Sequence, residues 1–270
     1  MQISSLRFSD LISPNRIIIL TLPRSGSTLL TTCVNSVAGV RMEVEPLNHG
    51  RHGHHMKPRH DDMKCPPYLI FNHLPYLMNR YFSVEPLPDF LRGSNVKRGN
   101  VAAGFKIMSH QISGMPNSEE FWNLLRYYNV RIVRLYRHNI IKQITSDYIV
   151  TRTRQSVVYD GKQDAGTVKI RLPVNRLEND IKIIREHQSY IDRNVSKYGL
   201  NNLLVTYEDY EHNLSYISDV VMPYYIGRSV KVTARTKRQN PERLRDRLVN
   251  YRELVSELRR LNMESFIKDT

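Results

Sequence analysis

The sequence predicts a single α/β domain in which a central, mostly parallel sheet is flanked by helices. Three segments carry this prediction, because each is a short run rich in apolar and β-branched residues, as expected for a buried strand. They are residues 17–20, 130–136 and 203–207. Helical patterns alternate with these strands along the chain, and such alternation is typical of parallel sheets with helices on their faces.

The first predicted strand leads into a glycine-containing loop, which opens a helix from Leu29 to about Val37. The loop is Pro23-Arg24-Ser25-Gly26-Ser27-Thr28. A strand, a loop of this kind and a helix in succession form a phosphate cradle, because loop amides and the positive end of the helix dipole converge on one anion. We therefore expect an anionic ligand at this loop.

The cations of this loop restrict which phosphate it suits. Gly26 and Thr28 keep the spacing of the loop of nucleotide triphosphatases, but Ser27 stands where that loop has its lysine. The nearest cation is Arg24, on the other side of the glycine. Without a lysine that reaches the outer phosphates, the loop suits one phosphate group better than a triphosphate.

The composition indicates a basic protein with an anionic partner. The formal net charge of +14 implies a nucleotide, an acidic glycan, a nucleic acid or a lipid headgroup as partner. The two cysteines, Cys33 and Cys65, provide no disulfide framework. No stretch approaches 18 apolar residues and residues 1–16 lack the apolar core of a signal peptide, so we expect no membrane span and a cytoplasmic location.

The remaining elements follow from periodicity and capping signals. We expect a strand over residues 103–109 and helices over residues 68–82, 117–128, 140–152 and 174–198. A last helix is predicted with Asn240 as its cap and Pro241 in its first turn, and it continues through Leu261. Residues 153–173 are predicted to form a hairpin or a loop with a turn at Asp160-Gly161.

The segment from Pro23 to Leu30 resembles the 5′-phosphosulfate loop of sulfotransferases, whose donor is 3′-phosphoadenosine 5′-phosphosulfate (PAPS). The resemblance, closest to bacterial and carbohydrate-type members, extends over residues 16–48, 103–110, 131–148, 203–210 and 236–262. It implies a P-loop-NTPase-like sulfotransferase fold. It also implies transfer of a sulfuryl group to a hydroxyl or amine of an acceptor, a carbohydrate or other small metabolite.

The resemblance also implies which residues bind the donor. The 5′-phosphosulfate would be held by Lys106 and by the loop residues Pro23, Arg24, Ser25, Gly26, Ser27 and Thr28. Arg137 and Ser146 match the family's 3′-phosphate segment, with His138 as a rival because the usual eight-residue interval to Ser146 begins there. Lys237 and Arg238 are further candidate phosphate contacts. For residues 203–210 we favour a purely structural role, as a strand and a following cap.

Two residues are candidates for the general base. Glu45 matches the family's glutamate, and the following Pro46 biases it towards an extended conformation. His110 is similar to the histidine that cytosolic sulfotransferases use near a lysine, but here its spacing from Lys106 is two residues longer. We favour Glu45 as the base and take Arg24, Lys106 and His110 as the other catalytic candidates.

Residues 49–102 and 153–200 match no family segment and are predicted to be acceptor-binding or lid insertions within one domain, residues 1–270. The first contains a histidine-rich stretch, residues 49–60, followed by Cys65. Its spacing fits neither a zinc finger nor an HExxH motif. We therefore favour a mobile acceptor-binding loop over a metal site, and an anionic glycan is one acceptor class that the basic surface suits.

Two other functions stay open. A P-loop kinase of nucleotides or small molecules is disfavoured by Ser27 in the lysine position, and a non-catalytic binder of anionic polymers is suggested by the net charge. For the sulfotransferase we expect no metal requirement, because arginine and lysine can neutralise the smaller charge of a sulfuryl group. We also expect no nucleic-acid partner, because the basic surface would serve the donor and the acceptor.

Overall fold

The computed structural model describes residues 15–44, 101–114, 118–153, 158–159, 168–234, 236–237 and 243–268. The strands are β1 Asn15–Thr21, β2 Val40–Val44, β3 Ala102–Met108, β4 Arg131–Tyr136, β5 Val158–Tyr159, β6 Asn202–Thr206 and β7 Thr236–Lys237. The helices are α1 Ser27–Val34, α2 Ser109–Ser113, α3 Ser118–Tyr127, α4 Ile140–Thr153, α5 Leu177–Lys197, α6 Met222–Ile226, α7 Leu244–Arg247, α8 Tyr251–Arg260 and α9 Ser265–Lys268.

Five of these strands form one parallel sheet in the order β2-β3-β1-β4-β6. The strand β1 lies at the centre, where Ile19 is paired with Lys106 of β3 and with Val133 of β4. The predicted α/β class with a central parallel sheet is therefore confirmed. The two remaining strands, β5 and β7, form a separate antiparallel pair.

Helices cover both faces of the sheet. Successive side chains of β1 point to opposite faces, and those on each face are apolar, so both faces need to be covered. Ile17 and Ile19 pack with α1 and α6, whereas Ile18 and Leu20 pack with α3 and α5, and all four are fully buried. Each such aliphatic side chain contributes about 1.5–3 kcal/mol of burial free energy. A third apolar cluster joins α4, α5, α7 and α8 beside the sheet.

The C-terminal helix differs from the prediction of one continuous element. The chain leaves the helical conformation at Leu248, whose φ of −104° and ψ of 121° are extended. Leu248 pairs there with Ile170, and the side chain of Asn250 holds the backbone of Leu172 through two hydrogen bonds of 3.0 and 2.8 Å. These contacts divide the predicted helix into α7 and α8.

Two other boundaries depart from the sequence pattern. The helix α1 begins at Ser27, two residues before the predicted start, so the end of the glycine loop already belongs to it. Val158 and Tyr159, in the stretch predicted as a hairpin or loop, pair with the distant strand β7. No helix among the described residues is both long enough and apolar enough to cross a membrane.

Candidate functional site

The candidate site lies at the carboxyl ends of β1 and β4. The connection after β1 leads to β2 on one side of the sheet, whereas the connection after β4 leads to β6 on the other side. Such a reversal is a topological switch point, and open α/β sheets bind ligands in the crevice that it creates. The chain between β1 and α1, residues 22–26, contains most of the glycine loop and lies at this crevice.

Hydrogen bonds from two buried hydroxyl groups hold the base of the loop against the sheet. The Oγ1 of Thr21, the last residue of β1, donates to the carbonyl oxygen of Leu135 on β4 over 3.0 Å. It also contacts the Oγ of Ser25, which donates to the carbonyl oxygen of Leu22 over 2.9 Å. Because Thr21 and Ser25 are fully buried, their hydroxyls serve the loop conformation rather than a ligand.

The loop turns sharply at two alternate residues with left-handed backbone conformation, Arg24 with φ 61° and Gly26 with φ 84°. At Gly26 the tertiary structure also excludes a side chain, since an added Cβ would lie 2.1 Å from Cδ2 of Tyr207. The hydroxyl of Tyr210 donates to the carbonyl oxygen of Gly26 over 3.1 Å. Complete burial raises the pKa of Tyr210 well above its ordinary value, so this donor keeps its proton.

The other side of the loop is bound to α4. The Nε2 of Gln143 donates to the carbonyl oxygen of Pro23 over 2.7 Å. One turn later, the Oγ of Ser146 accepts a hydrogen bond of 3.1 Å from Nε of Arg24. Residues three and four apart lie on one face of a helix, so the first two turns of α4 present a polar face to the loop.

The guanidinium of Arg137 reaches the same place from the end of β4. It donates to the carbonyl oxygen of Arg24 over 3.4 Å and lies 4.8 Å from the ring centroid of Tyr207. His138, the rival of Arg137, is exposed, and its ring lies 6.2 Å from that of Phe266. The structure thus brings together Arg24, Arg137 and Ser146, and directs the ring of His138 towards a different neighbour.

Lys106 and His110 come from β3 and from the helix that follows it. Lys106 is 1% exposed and shares the face of Ile19, which is the face covered by α1. His110 lies in the first turn of α2 and is exposed. The two side chains therefore belong to different environments, a buried lysine within the sheet and an exposed histidine beyond its end.

Several predicted residues lie wholly or partly outside the described residues. Glu45, Arg238 and the histidine-rich residues 49–60 are among them, and for Lys237 only the backbone, in β7, is described. The strand β7 lies against α1, since the hydroxyls of Thr236 and Thr32 are 3.3 Å apart. The remaining loop residues are half-buried Thr28, in the first turn of α1, and Ser27, which is 5% exposed.

Some buried polar side-chain atoms near the carboxyl ends of β3 and β4 have no hydrogen-bond partner among the described residues. They include Oγ of Ser109, Nδ2 of Asn139 and Oε1 of Gln143, in residues that are at most 3% exposed. Buried polar atoms are normally hydrogen-bonded, and exceptions mark strain, a ligand or a water. Asn139 and Gln143 are four residues apart at the amino end of α4, and Gln143 also donates to Pro23.

The sequence pattern missed the residues that hold this site in shape. We interpreted residues 203–210 as a strand and a cap, but Tyr207 and Tyr210 contact the loop and the carboxylate of Glu208 reaches α4. Its two oxygens accept hydrogen bonds of 2.8 and 3.1 Å from the amides of His138 and Asn139. These partners are 70 and 69 residues apart in the chain, so no local spacing could have revealed them.

The arrangement is suited to an anionic ligand. Two guanidinium groups, a half-buried loop and the polar face of α4 meet at the end of a parallel sheet, and arginine forks match the oxygens of phosphate or sulfate groups. No protein-family model and no curated protein matches this chain.

Proposed function

We propose that this chain is a PAPS-dependent sulfotransferase, which transfers a sulfuryl group to a hydroxyl or amine of a carbohydrate or other small metabolite. One observation carries the proposal. Arg24, which the family resemblance assigns to the 5′-phosphosulfate, is hydrogen-bonded to Ser146, which the resemblance assigns to the 3′-phosphate. Two segments that lie 122 residues apart in the sequence are therefore adjacent in the fold. A ligand with anionic groups at the 3′ and 5′ positions of its ribose requires such a pair of neighbouring segments.

The charge of the site supports a donor with anions at both ends of its ribose. Arg24 and Arg137 approach each other closely enough that the guanidinium of one bonds the backbone of the other. Both side chains carry positive charge, so the site that they share favours an anionic ligand. A nucleotide with a 3′-phosphate and a 5′-phosphosulfate supplies one anionic group for each arginine.

The chemistry requires positioning and charge stabilisation. The acceptor oxygen or nitrogen attacks sulfur while the bond from sulfur to the bridging phosphate oxygen breaks, and that oxygen leaves with the electron pair as 3′-phosphoadenosine 5′-phosphate. The acceptor's proton passes to a base, for which Glu45 is our first candidate and His110 the second. Arg24 would stabilise the charge that develops on the bridging oxygen, as cations do in phosphoryl transfer. Lys106, which is 1% exposed within the sheet, is the second residue that the resemblance assigns to this role.

A kinase is less consistent with the same residues. Ser27 occupies the position of the lysine that reaches the outer phosphates of a triphosphate, and it lies buried at the start of α1. The anionic-polymer binder has the net charge in its favour but does not account for a site built from loop and helix.

Isothermal calorimetry with 3′-phosphoadenosine 5′-phosphate and with ATP tests the proposal. We expect the dissociation constant of the bisphosphate to be at least about tenfold lower than that of ATP, because one charge-assisted contact is worth that factor or more. Magnesium should not improve ATP binding. Tighter ATP binding that depends on magnesium would instead identify a kinase. Release of the bisphosphate from PAPS in the presence of a panel of sugars, phenols and amines would then identify the acceptor class.

A further inference from the structure

Glu208 occupies the amino end of α4, where a helix of 14 residues carries partial positive charge. Its carboxylate accepts hydrogen bonds from the amides of His138 and Asn139, and Asn139 in turn caps the helix by accepting from the amide of Lys142 over 2.9 Å. The amino end of α4 would suit a phosphate oxygen, but the carboxylate of Glu208, from the turn after β6, already occupies it.

The residue before these amides is Arg137, and it is held on both sides. On the strand side, the hydroxyl of Tyr136 donates to Asp192 of α5 over 2.7 Å. On the helix side, Glu208 holds the two amides that follow Arg137. The neighbouring Tyr207 lies under the guanidinium, so residues 207–208 contact the Arg137 segment at its side chain and at its backbone.

We propose that Glu208 is a positioning residue that makes the chain selective for a 3′-phosphorylated nucleotide. This inference rests on the proposed function. Glu208 accepts from the amides of His138 and Asn139, so these amides are not available to the 3′-phosphate, which depends instead on the side chain of Arg137. By fixing the turn of residues 137–139, Glu208 aims that side chain at the carbonyl of Arg24 and at the ligand beside it.

The test compares Glu208→Gln with Asp209→Asn. In Glu208→Gln one oxygen still accepts from an amide, but the NH₂ group faces the other amide, donor against donor. Asp209 is the matched control, because its carboxylate also accepts from a backbone amide, that of Thr206 at 2.7 Å, within its own turn and without reaching α4. Both substitutions remove one negative charge next to the same strand.

The nucleotide readout is the ratio of affinities for 3′-phosphoadenosine 5′-phosphate and adenosine 5′-phosphate. We expect Glu208→Gln to lower this ratio about tenfold, the factor for one charge-assisted hydrogen bond, and Asp209→Asn to leave it unchanged. Hydrogen exchange at the amides of His138 and Asn139, which should accelerate only in Glu208→Gln, measures the tether directly. A purely structural role would instead weaken both nucleotides equally.

Three outcomes would overturn the inference. Glu208→Gln could discriminate as well as the unchanged chain, or it could bind the bisphosphate more tightly, which would identify Glu208 as a competitor for the phosphate. Unchanged exchange at the two amides would show that the tether is not formed. A failure of the proposed function is distinguishable, because the unchanged chain itself would then show no preference for the bisphosphate, and the inference would fall with its premise.

Discussion

The Nε atom of Arg24 donates a hydrogen bond of 3.1 Å to the Oγ atom of Ser146, and this contact joins the loop after β1 to the helix after β4. Ser146 is 7% exposed, so this hydrogen bond lies almost entirely within the protein. The backbone of Arg24 is in the left-handed conformation, which residues other than glycine seldom adopt.

Replacement of Ser146 by alanine should weaken donor binding without unfolding the protein. The change removes the acceptor of the Arg24 hydrogen bond, which is worth about 0.5–1.5 kcal/mol net. We expect the affinity for 3′-phosphoadenosine 5′-phosphate to fall about threefold to tenfold. Thr145→Ala at the adjacent buried position is the control, and an equal loss in that variant would show that the effect is one of helix packing.

Replacement of Arg137 by alanine should affect the 3′-phosphate selectively. A charge-assisted contact from arginine to phosphate is worth about 1.5–3 kcal/mol, so the bisphosphate should bind about tenfold to a hundredfold more weakly. The loss should nearly disappear with adenosine 5′-phosphosulfate, which lacks the 3′-phosphate. If His138→Ala shows this pattern and Arg137→Ala does not, the assignment of the phosphate contact is wrong by one residue.

Gly26→Ala should destabilise the protein more than a left-handed backbone alone explains. The added Cβ would meet the ring of Tyr207 at 2.1 Å, so we expect a loss of roughly 2–4 kcal/mol in the free energy of unfolding. Gly227→Ala is a matched control, because Gly227 has a φ of 78° but no atom within 4 Å of its added Cβ. That variant should lose only about 1 kcal/mol, the cost of the left-handed conformation.

Urea denaturation of both variants measures the difference. Adding Tyr207→Ala to Gly26→Ala should make the glycine substitution less costly, since the ring that the Cβ meets is then absent. If the two glycine variants lose the same stability, the contact with Tyr207 does not limit residue 26.

Glu45→Gln should leave bisphosphate affinity nearly unchanged while lowering turnover by roughly 10²–10⁴-fold, the span expected for loss of a general base. Glutamine keeps the size of the side chain but not its basicity. His110→Ala is the comparison, because exposed His110 is the rival base. A nearly active Glu45→Gln together with an inactive His110→Ala would assign the proton transfer to the histidine.

Alkaline pH should destabilise the fold through buried Cys33. Burial raises the pKa of its thiol from 9.0 to about 12, so the folded protein keeps a proton that the unfolded chain releases. The stabilisation is fully present below pH 9 and is lost as pH rises towards 12. Between pH 8 and pH 10 this group should cost about 1 kcal/mol of the free energy of unfolding, measured by urea denaturation.

Cys33→Ala serves as the control for this pH dependence. The variant should be less stable at pH 8, because a buried side chain is truncated, but its stability should fall less steeply between pH 8 and pH 10. A thiol-specific reagent should leave Cys33 unmodified in the folded protein. Equal slopes in the two proteins would show that other groups, such as the buried tyrosines, account for the alkaline loss.

The sequence by itself determined the elements whose signals are local. The apolar run of β1, the glycine at residue 26 and the strand-loop-helix unit around Arg137 are each encoded within about 20 neighbouring residues, and all were predicted close to their observed positions. The same holds for α5, where apolar residues recur at helical spacing and Gly199 follows the end with a left-handed φ of 57°.

Only the tertiary structure decided which of these elements meet. Glu208 lies about 70 residues from the amides that it binds. Leu248 lies even further along the chain from Ile170, the residue with which it pairs where the helical pattern is interrupted. Whether residues so far apart in the sequence come into contact depends on the order of the strands in the sheet, and no local sequence pattern specifies that order. The same reason explains why residues 203–210, predicted as a structural cap, were found to hold both the glycine loop and the turn that carries Arg137.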